Sequence, residues 1–456
     1  MSPPPRGPRG RLWQAWAYAR DSYAFFTSCA RRYGDPFLMK TLTADVLVTG
    51  RPDGIAEIFG ADPASFAPFE RDHLVPINGK DSIMVLTGDR LKQERKLLAR
   101  PLSPLRVNAY GRQIRAAALR QAVRWPAGRP FSMLAAAHAI SLEVLVRSFL
   151  GLDEPAALDA AAAAFCALRE SLRLPTIAGR LWRGAGRAIG LGEAARRRRL
   201  ARFERALAGI DALVYAALAG RRGAAAAVSP DVLGELAASR YDDGTAPSDS
   251  DLRDQMVTLI LAGRETTGTA IAWACHWLHR SPAVLARLGA ELAAVGPDPE
   301  PETVAALPYL GAVCNEVLRL HPTVADIPRR LQRDFSLLGH QLVAGQAVNA
   351  CVVLAHRRQE AFPQPDRFRP ERFLERSFSP FEFLPFGGGV RRCPGASLAL
   401  LELKVVLAAL LSRYRFRLAP DRSEPLTRQH TVMGPRGGVR MAVVETLRGR
   451  RGDHRD

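Results

Sequence analysis

The chain contains 456 residues, of which 47% are hydrophobic, 24% charged and 7% aromatic. These proportions are typical of a globular protein and exclude a disordered, fibrous or collagen-like chain. The net charge of +19 comes from 64 Lys and Arg against 45 Asp and Glu residues. Because the basic residues are spread along the chain rather than clustered with aromatic residues, the charge does not indicate nucleic-acid binding. A compositional bias of the genome and a basic surface for an acidic protein partner both stay open as explanations.

The predicted elements describe a mainly α-helical protein with small β-sheets, in one domain over residues 1–456. The arginine-rich ends, 1–10 and 448–456, are predicted to be disordered tails. Apolar periodicity and turn residues place the remaining elements. In chain order they are a helix near 11–32, strands within Pro36–Val48, helices from Asp81 to about Trp277, a β region around Phe335–Leu354, and a last pair of strands at Arg415–Leu418 and Val439–Val444.

One predicted helix is far longer than the average globular helix. It begins at a cap, Ser248 or Ser250, and runs to Arg280, where Ser281-Pro282 ends it. Since it is apolar nearly all round, we expect it to cross the interior. Its middle, Gly263–Gly268, combines poor helix formers with a carboxylate, Glu265. Two interpretations stay open: an ordinary kink with Glu265 paired to a nearby arginine, or an opening that faces a reaction centre.

The cysteines argue against disulfides and metal-binding CxxC motifs. None of the six is spaced as CxxC, which excludes thioredoxin-like, zinc-ribbon and iron–sulfur sites. Scattered cysteines are typical of a reducing compartment. The N-terminus has no apolar segment of a signal peptide, and no run approaches the ~18 apolar residues of a membrane span. We therefore expect a cytoplasmic protein without a membrane anchor.

The most informative stretch is Phe386–Gly395, FGGGVRRCPG, directly before an apolar helix. Its glycines allow backbone conformations closed to other residues and a close approach to a flat ligand. A helix N-terminus together with Arg391 and Arg392 favours the thiolate of Cys393. Such a thiolate is a soft anionic ligand suited to iron. For the other five cysteines we expect the usual role of a small buried hydrophobe.

This stretch resembles the cysteine-ligand loop of the cytochrome P-450 family, and three further motifs follow the order of that family. The resemblance covers essentially the whole chain. The pattern F-x-x-G-x-R-x-C-x-G is met by Phe386, Gly389, Arg391, Cys393 and Gly395. The other motifs are Ala262–Thr267, which resembles the oxygen-activation motif, Glu316–Arg319, which resembles ExxR, and Pro370–Phe373, which resembles PxRF.

The resemblance implies the cytochrome P-450 fold, with the long central helix over a buried haem b and Cys393 as the axial iron ligand. It implies three propionate-binding arginines, Arg95, Arg329 and Arg391. It also implies a buried network of Glu316, Arg319 and Arg372 that braces the haem side. One departure is visible: the family often has Trp or His four residues before Arg95, and this chain has Leu91, which cannot donate a hydrogen bond.

The implied activity is that of a monooxygenase, which uses O₂ and two electrons to insert one oxygen atom into an apolar small molecule. Glu265 and Thr266 are implied to deliver the protons. A terpene, fatty acid, steroid or polyketide would fit as substrate. No motif of a flavin, nicotinamide or iron–sulfur domain is found, so the electrons are expected from a separate ferredoxin with its reductase, or from a flavodoxin.

Three alternatives remain beside the monooxygenase: a peroxide-using haem-thiolate enzyme, a haem sensor or carrier without turnover, and a helical scaffold without haem. The presence of both Glu265 and Thr266 disfavours the first two. By the same resemblance the substrate pocket is lined by mainly apolar residues, while the direction of Asp326 stays open. The lining is expected from the loop around Pro68–Leu86, from Leu261, Ala262, Val324, Ala325 and Ile327, and from the turn at Thr431–Met433.

Overall fold

The structure is a computed structural model that describes residues 5–69, 71–172, 193–221, 231–296, 298–419, 424–429 and 432–447. Thr431 and the tail segments 1–4 and 448–456 lie outside these residues. Helices make up most of the described chain. They are α1 (Arg11–Arg20), α2 (Ser22–Tyr33), α3 (Pro52–Gly60), α4 (Arg71–Asn78), α5 (Gly88–Ala99), α6 (Pro104–Ala109), α7 (Gly111–Val123), α8 (Met133–Leu150), α9 (Pro155–Leu172), α10 (Glu193–Ala219), α11 (Val232–Ala237), α12 (Asp249–Arg280), α13 (Pro282–Ala294), α14 (Pro301–Ala306), α15 (Pro308–Leu320), α16 (Val352–Ala355), α17 (Arg372–Glu375) and α18 (Ala396–Arg413).

The described strands form small sheets at the margins of the helical body. The strands are β1 (Phe37–Lys40), β2 (Asp45–Thr49), β3 (Phe66–Pro68), β4 (Phe131–Ser132), β5 (Ile327–Leu331), β6 (Phe335–Leu337), β7 (His340–Leu342), β8 (Ala347–Ala350), β9 (Tyr414–Leu418), β10 (Leu426–Gln429), β11 (Val432–Pro435) and β12 (Arg440–Thr446). The largest sheet has the order β1-β2-β8-β5-β3, in which only the β2–β8 pair is parallel. The others are β4-β12-β9, β10-β11 and β6-β7. The prediction of a mainly α-helical fold with small sheets is confirmed.

Local backbone geometry explains where predicted and observed elements differ. The single helix predicted near 11–32 is two helices, because Asp21 is extended (φ −155°, ψ 95°) and its carboxylate caps α2 by accepting from the backbone N–H groups of Tyr23 and Ala24. The β region that was predicted to reach Leu354 ends at Ala350. There the backbone turns into α16, whose Ala355 N–H donates to Cys351 O.

Part of the predicted N-terminal tail lies against β1. Leu38 N–H donates to Arg6 O, and Gln14 Nε2 donates to Pro8 O at 3.0 Å. The buried Gln14 also accepts a hydrogen bond from Lys40 N–H with its Oε1. Residues 5–10 are therefore held by backbone contacts that their Pro/Arg-rich composition does not reveal.

The long helix α12 matches the predicted bounds and begins at Ser248, whose side chain and that of Asp251 form a capping box. It stays α-helical through its glycines. A Cβ on Gly268 would lie 2.5 Å from His138 Cδ2, and one on Gly263 would lie 3.1 Å from Leu145 Cδ1. Both glycines thus let α8 approach closely, which is a helix-packing role that neither sequence interpretation included.

The expectation that no run approaches the length of a membrane span is wrong for α8, the one described helix that is long and apolar enough to span a membrane. Of this helix, 78% is buried inside the protein. It packs mainly against α12, with further contacts to α7, α9 and α11. Its apolar side chains therefore belong to the main core, which α8, α12 and α18 share. The composition of α8 reflects this central position.

A buried carboxyl group joins α8 to α18. Glu402 is 1% exposed, and Ser141 Oγ donates to its Oε1 at 2.5 Å. Burial raises the pKa of Glu402 to about 7. Since this pKa lies above that of the unfolded chain, the protonated carboxyl stabilises the fold at low pH, and this contribution is lost as the pH rises through about 7.

We therefore expect Glu402→Gln to become more stable relative to the unchanged protein as the pH rises. The difference in unfolding free energy should grow by about 2 kcal/mol between about pH 5.5 and about pH 8.5, measured by urea unfolding of the holoprotein. Glu300→Gln, a change at a half-exposed carboxylate, is the matched control and should show little such growth. A pH-independent difference would contradict a protonated Glu402.

Candidate active site

The cysteine loop reaches Cys393 through backbone conformations that require glycine. Gly387 and Gly389 have φ values of +65° and +63°, in the left-handed region. The loop closes where Cys393 N–H donates to Phe386 O at 2.9 Å, and the half-buried Phe386 packs on the main core. Gly395 follows as the N-cap residue of α18. The sequence pattern thus fixes where Cys393 stands relative to this helix.

The close approach that the glycines permit is to α3. A Cβ on Gly388 would lie 2.2 Å from Phe59 Cδ2, and one on Gly389 would lie 2.7 Å from Phe59 O. These two glycines therefore have a packing role against α3, which the sequence analysis did not include. The Cβ position of Gly395, by contrast, faces open space.

Cys393 differs from the other cysteines in its environment. It is exposed, whereas Cys166 is half-buried and the remaining four, Cys29, Cys275, Cys314 and Cys351, are buried as predicted. Desolvation by the surrounding protein raises the pKa of the Cys393 thiol. The backbone N–H of Gly395 and the charges of Arg95 and Arg392 lower it. The expected neighbour Arg391 is replaced in this role by Arg95, because the Arg391 guanidinium is directed towards the carbonyl oxygens of Ile83 and Leu86.

Three arginines expected at the propionates, Arg95, Arg329 and Arg391, make hydrogen bonds only to backbone carbonyls among the described residues. Burial, and to a smaller extent a neighbouring arginine, lower the pKa of both Arg329 and Arg391 to about 10. Arg329 Nε has no partner in the described part of the chain. The bonds include Arg95 Nη2 to Arg392 O (2.6 Å), Arg329 Nη2 to Gly388 O (3.4 Å) and Arg391 Nη1 to Ile83 O (3.3 Å).

The three arginines, Arg95, Arg329 and Arg391, fit the binding of an anionic group. Arg329 is buried and Arg95 and Arg391 are half-buried, and guanidinium groups withdrawn from water without a carboxylate are costly unless a ligand supplies the countercharge. A haem with two propionates beside the exposed thiol of Cys393 fits this donor set. Leu91, one turn before Arg95, is buried in the main core, so the expected lack of a donor at that position stands.

The second part of the site lies on α12. Glu265 and Thr266 are half-buried, and Thr266 Oγ1 donates to Ala262 O at 2.8 Å. The neighbouring Thr267 is buried, which distinguishes the two hydroxyls. Burial lowers the pKa of His138 to about 4, with contributions from the charges of Arg264, which lowers it, and Glu265, which raises it. A neutral histidine and a cationic arginine therefore lie near Glu265.

A buried amide that the sequence analysis missed ties residues 81–86 to α12. Gln255 Nε2 donates to Asp81 O at 2.7 Å and to Glu94 Oε2 at 3.1 Å, and its Oε1 accepts from Ile83 N–H. Since Arg391 holds the same segment from the cysteine loop, the segment bridges the two halves of the site. The sequence could have indicated this role, because Gln255 is a polar residue directly before the apolar run of α12.

The ExxR residues form a closed network on α15. Glu316 and Arg319 are fully buried and paired in bidentate geometry, Nε to Oε2 at 2.7 Å and Nη2 to Oε1 at 2.9 Å. Arg372 Nε donates to Glu316 Oε1 at 3.1 Å. Arg319 also donates to the carbonyl oxygens of His356 and Arg367. The structure thus brings together the three side chains that the motifs named.

The expected pocket residues divide into two groups. Leu261, Ala262, Val324 and Ile327 keep accessible surface, whereas Ala325 and Met433 are buried in a second core between α2 and the largest sheet. The direction of Asp326 is now defined, because its carboxylate accepts from Tyr18 OH at 3.0 Å and Asn349 Nδ2 at 2.8 Å. These two bonds hold Asp326 to α1 and β8.

Comparisons with known proteins show which sequence family this chain resembles. The family model described as Cytochrome P450 matches residues 202–440. Cytochrome P450 135B1 of Mycobacterium tuberculosis is 33% identical over 452 residues, which cover 97% of this chain and 92% of the relative. Cytochrome P450 137 of the same organism is 32% identical, with coverages of 96% and 90%.

Solved structures share the fold. A cyanobacterial CYP120A1 with bound retinoic acid superposes with a TM-score of 0.84 at 22% identity, covering 98% of this chain and all of that one. The haem domain of cytochrome P450DA gives a TM-score of 0.82 at 20% identity, with coverages of 98% and 99%. With the matched sequence family and relatives above 30% identity over nearly the whole chain, the protein belongs to the cytochrome P450 family of haem-thiolate oxidoreductases.

Proposed function

We propose that the protein is a monooxygenase that inserts one atom of O₂ into an apolar small molecule, with haem b as its cofactor. The observation that carries the proposal is the set of buried and half-buried arginines without carboxylate partners near Cys393, in a chain whose helix α12 also carries the acid–threonine pair Glu265 and Thr266. Terpenes, fatty acids, steroids and polyketides are the candidate substrates, because the accessible pocket residues Leu261, Ala262, Val324 and Ile327 are all apolar.

Haem ligated by a thiolate supplies O₂ activation when it is bound. The residues of this chain would divide the remaining tasks. Cys393 would bind the iron, and Arg95, Arg329 and Arg391 would orient the cofactor through its propionates. Thr266 Oγ1 donates and accepts hydrogen bonds, and it can hold a water while Glu265 passes protons to it. Apolar neighbours such as Leu261 keep further water away from this pair.

We propose that the electrons come from a separate ferredoxin with its reductase, or from a flavodoxin, in the cytoplasm. Exposed cations near the cysteine loop support this. Arg392 is exposed beside Cys393. Lys92 and Lys96 are exposed on α5, the helix that carries Arg95, where they pair with the surface carboxylates of Asp89 and Asp242. Such a surface attracts the acidic faces of small redox proteins.

Thr266→Ala tests the proposed proton delivery. We expect the variant to bind haem, CO and substrate as before and to keep consuming NADH through a surrogate ferredoxin and reductase. Product formed per NADH should fall by about tenfold, with a matching rise in peroxide, because the hydroxyl that holds the proton-donating water is lost. The measurement is product and peroxide per NADH, with a compound that shifts the Soret band in a screen of the candidate classes.

Thr267→Ala is the matched control, since this buried hydroxyl is the adjacent residue of the same helix. It should retain the coupling of the unchanged protein. If both variants formed as much product per NADH as the unchanged protein, Thr266 would have no role in proton delivery. Product formation with peroxide alone, and none with NADH, would instead favour a peroxide-using enzyme.

A further inference from the structure

Helix α1 carries an apolar face on the outside of the protein. Leu12, Trp13 and Trp16 lie at i, i+1 and i+4, so they share one side of the helix, and they are 52%, 54% and 51% exposed. Of the tryptophans that the structure describes, only Trp13 and Trp16 are exposed to this degree. Large aromatic side chains that remain in water at adjacent positions indicate a contact surface.

The opposite side of α1 is fixed, so this face cannot turn inward. Gln14 is fully buried, with hydrogen bonds to Pro8 O and from Lys40 N–H. Tyr18 OH donates to the half-buried Asp326. Since both anchors lie on the inner side of the helix, the exposure of the tryptophans follows from the packing of α1.

The segment that carries the face is rich in arginine, of which Arg11 is paired with the carboxylate of Asp45 at 2.6 Å. Residues 5–33 contain six arginines and one acidic residue, Asp21, whereas the whole chain has 64 basic against 45 acidic residues. The Asp21 carboxylate is engaged as the cap of α2. Arg20 stacks on Trp16 with its guanidinium carbon 5.2 Å from the ring centroid, and Arg9 is exposed before the helix. The local excess of arginine is thus well above the general bias of the chain.

We propose that this face, Leu12, Trp13 and Trp16 with the flanking Arg9 and Arg20, binds the surface of an anionic lipid membrane. Tryptophan rings suit the headgroup region of a bilayer, and arginines beside them attract anionic headgroups. The three half-exposed side chains offer roughly 300 Å² of apolar surface, well below the about 800 Å² per partner of a stable protein–protein interface. The attachment is peripheral and needs no membrane-spanning segment.

Flotation of the full-length holoprotein with vesicles tests the proposal. The probes are vesicles of phosphatidylcholine alone and vesicles that also contain phosphatidylglycerol. We expect binding to the anionic vesicles, weakened by salt, and little binding to the neutral ones. Trp13→Ser/Trp16→Ser should lower the affinity for anionic vesicles by about tenfold or more.

The matched control is Leu105→Ser/Val123→Ser, which removes two side chains that are more exposed than these tryptophans and lie on α6 and α7. It should bind vesicles as the unchanged protein does. Thermal unfolding and the CO spectrum of each variant verify the fold. Absence of vesicle binding, or equal binding by the tryptophan variant, would overturn the proposal. Dimerisation lost in the tryptophan variant would overturn it in favour of a second copy of the chain as the partner.

Discussion

Cys393→Ser is expected to abolish the strongly red-shifted absorption band of the reduced CO complex and to remove turnover. A serine hydroxyl does not ionise at neutral pH, so it cannot replace the soft anionic sulfur that ligates iron and pushes electron density onto it. The variant should keep its helices, because the exposed Cys393 side chain contributes little to the core. CO difference spectra, haem content and circular dichroism measure these outcomes.

Cys166→Ser serves as the control for that experiment. Cys166 is half-buried, and its Sγ accepts a hydrogen bond from Arg264 Nη2 at 3.6 Å, which a serine hydroxyl can also accept. The band should persist in this variant. If the band also survives in Cys393→Ser, Cys393 is not the axial ligand.

Arg319→Lys should cost about 3–5 kcal/mol of unfolding free energy. The Arg319 guanidinium is completely buried and bonded to both carboxylate oxygens of Glu316 and to the carbonyl oxygens of His356 and Arg367. A lysine ammonium is a point charge that cannot reproduce the planar fork, so part of the Glu316 charge would stay buried without a partner. Urea unfolding of the holoprotein measures the loss, and haem content reports on the site.

Arg112→Lys is the comparison, since Arg112 pairs with Glu300 on the surface at 3.1 Å, where both side chains are largely exposed. Exposed pairs contribute about 0–1 kcal/mol, so this variant should unfold almost as the unchanged protein does. An equally small effect of Arg319→Lys would contradict a structural role for the buried network.

Local patterns were sufficient to predict the parts of the site that a short segment determines. The capping residues Ser248 and Asp251 and the stop at Ser281-Pro282 define α12, because caps act within one helical turn. The position of Cys393 follows equally from neighbouring residues: glycines that take left-handed conformations and a helix that begins three residues later. Secondary structure and motif spacing depend on contacts between residues that are close in the chain. The sequence shows such neighbours directly.

Strand β3, which the sequence analysis did not predict, and the packing of Gly388 depend on residues that are distant in the chain. Strand β3 has three residues and contains Pro68, so only its pairing with β5, more than 250 positions later, makes it a strand. The same holds for Gly388, which packs on Phe59. In neither case does the short segment itself carry a periodic signal.

The amino-acid sequence by itself determined the fold class, the order of the motifs and the identity of the proposed ligand cysteine. Only the tertiary structure decided that Arg95 and not Arg391 lowers the pKa of the thiol, that Asp326 is held by Tyr18 and Asn349, and that Gln255 ties residues 81–86 to α12. The physical reason is that hydrogen bonds are directional. A hydrogen bond requires a partner at about 3 Å and at a defined angle, and the fold alone brings together partners that lie hundreds of residues apart.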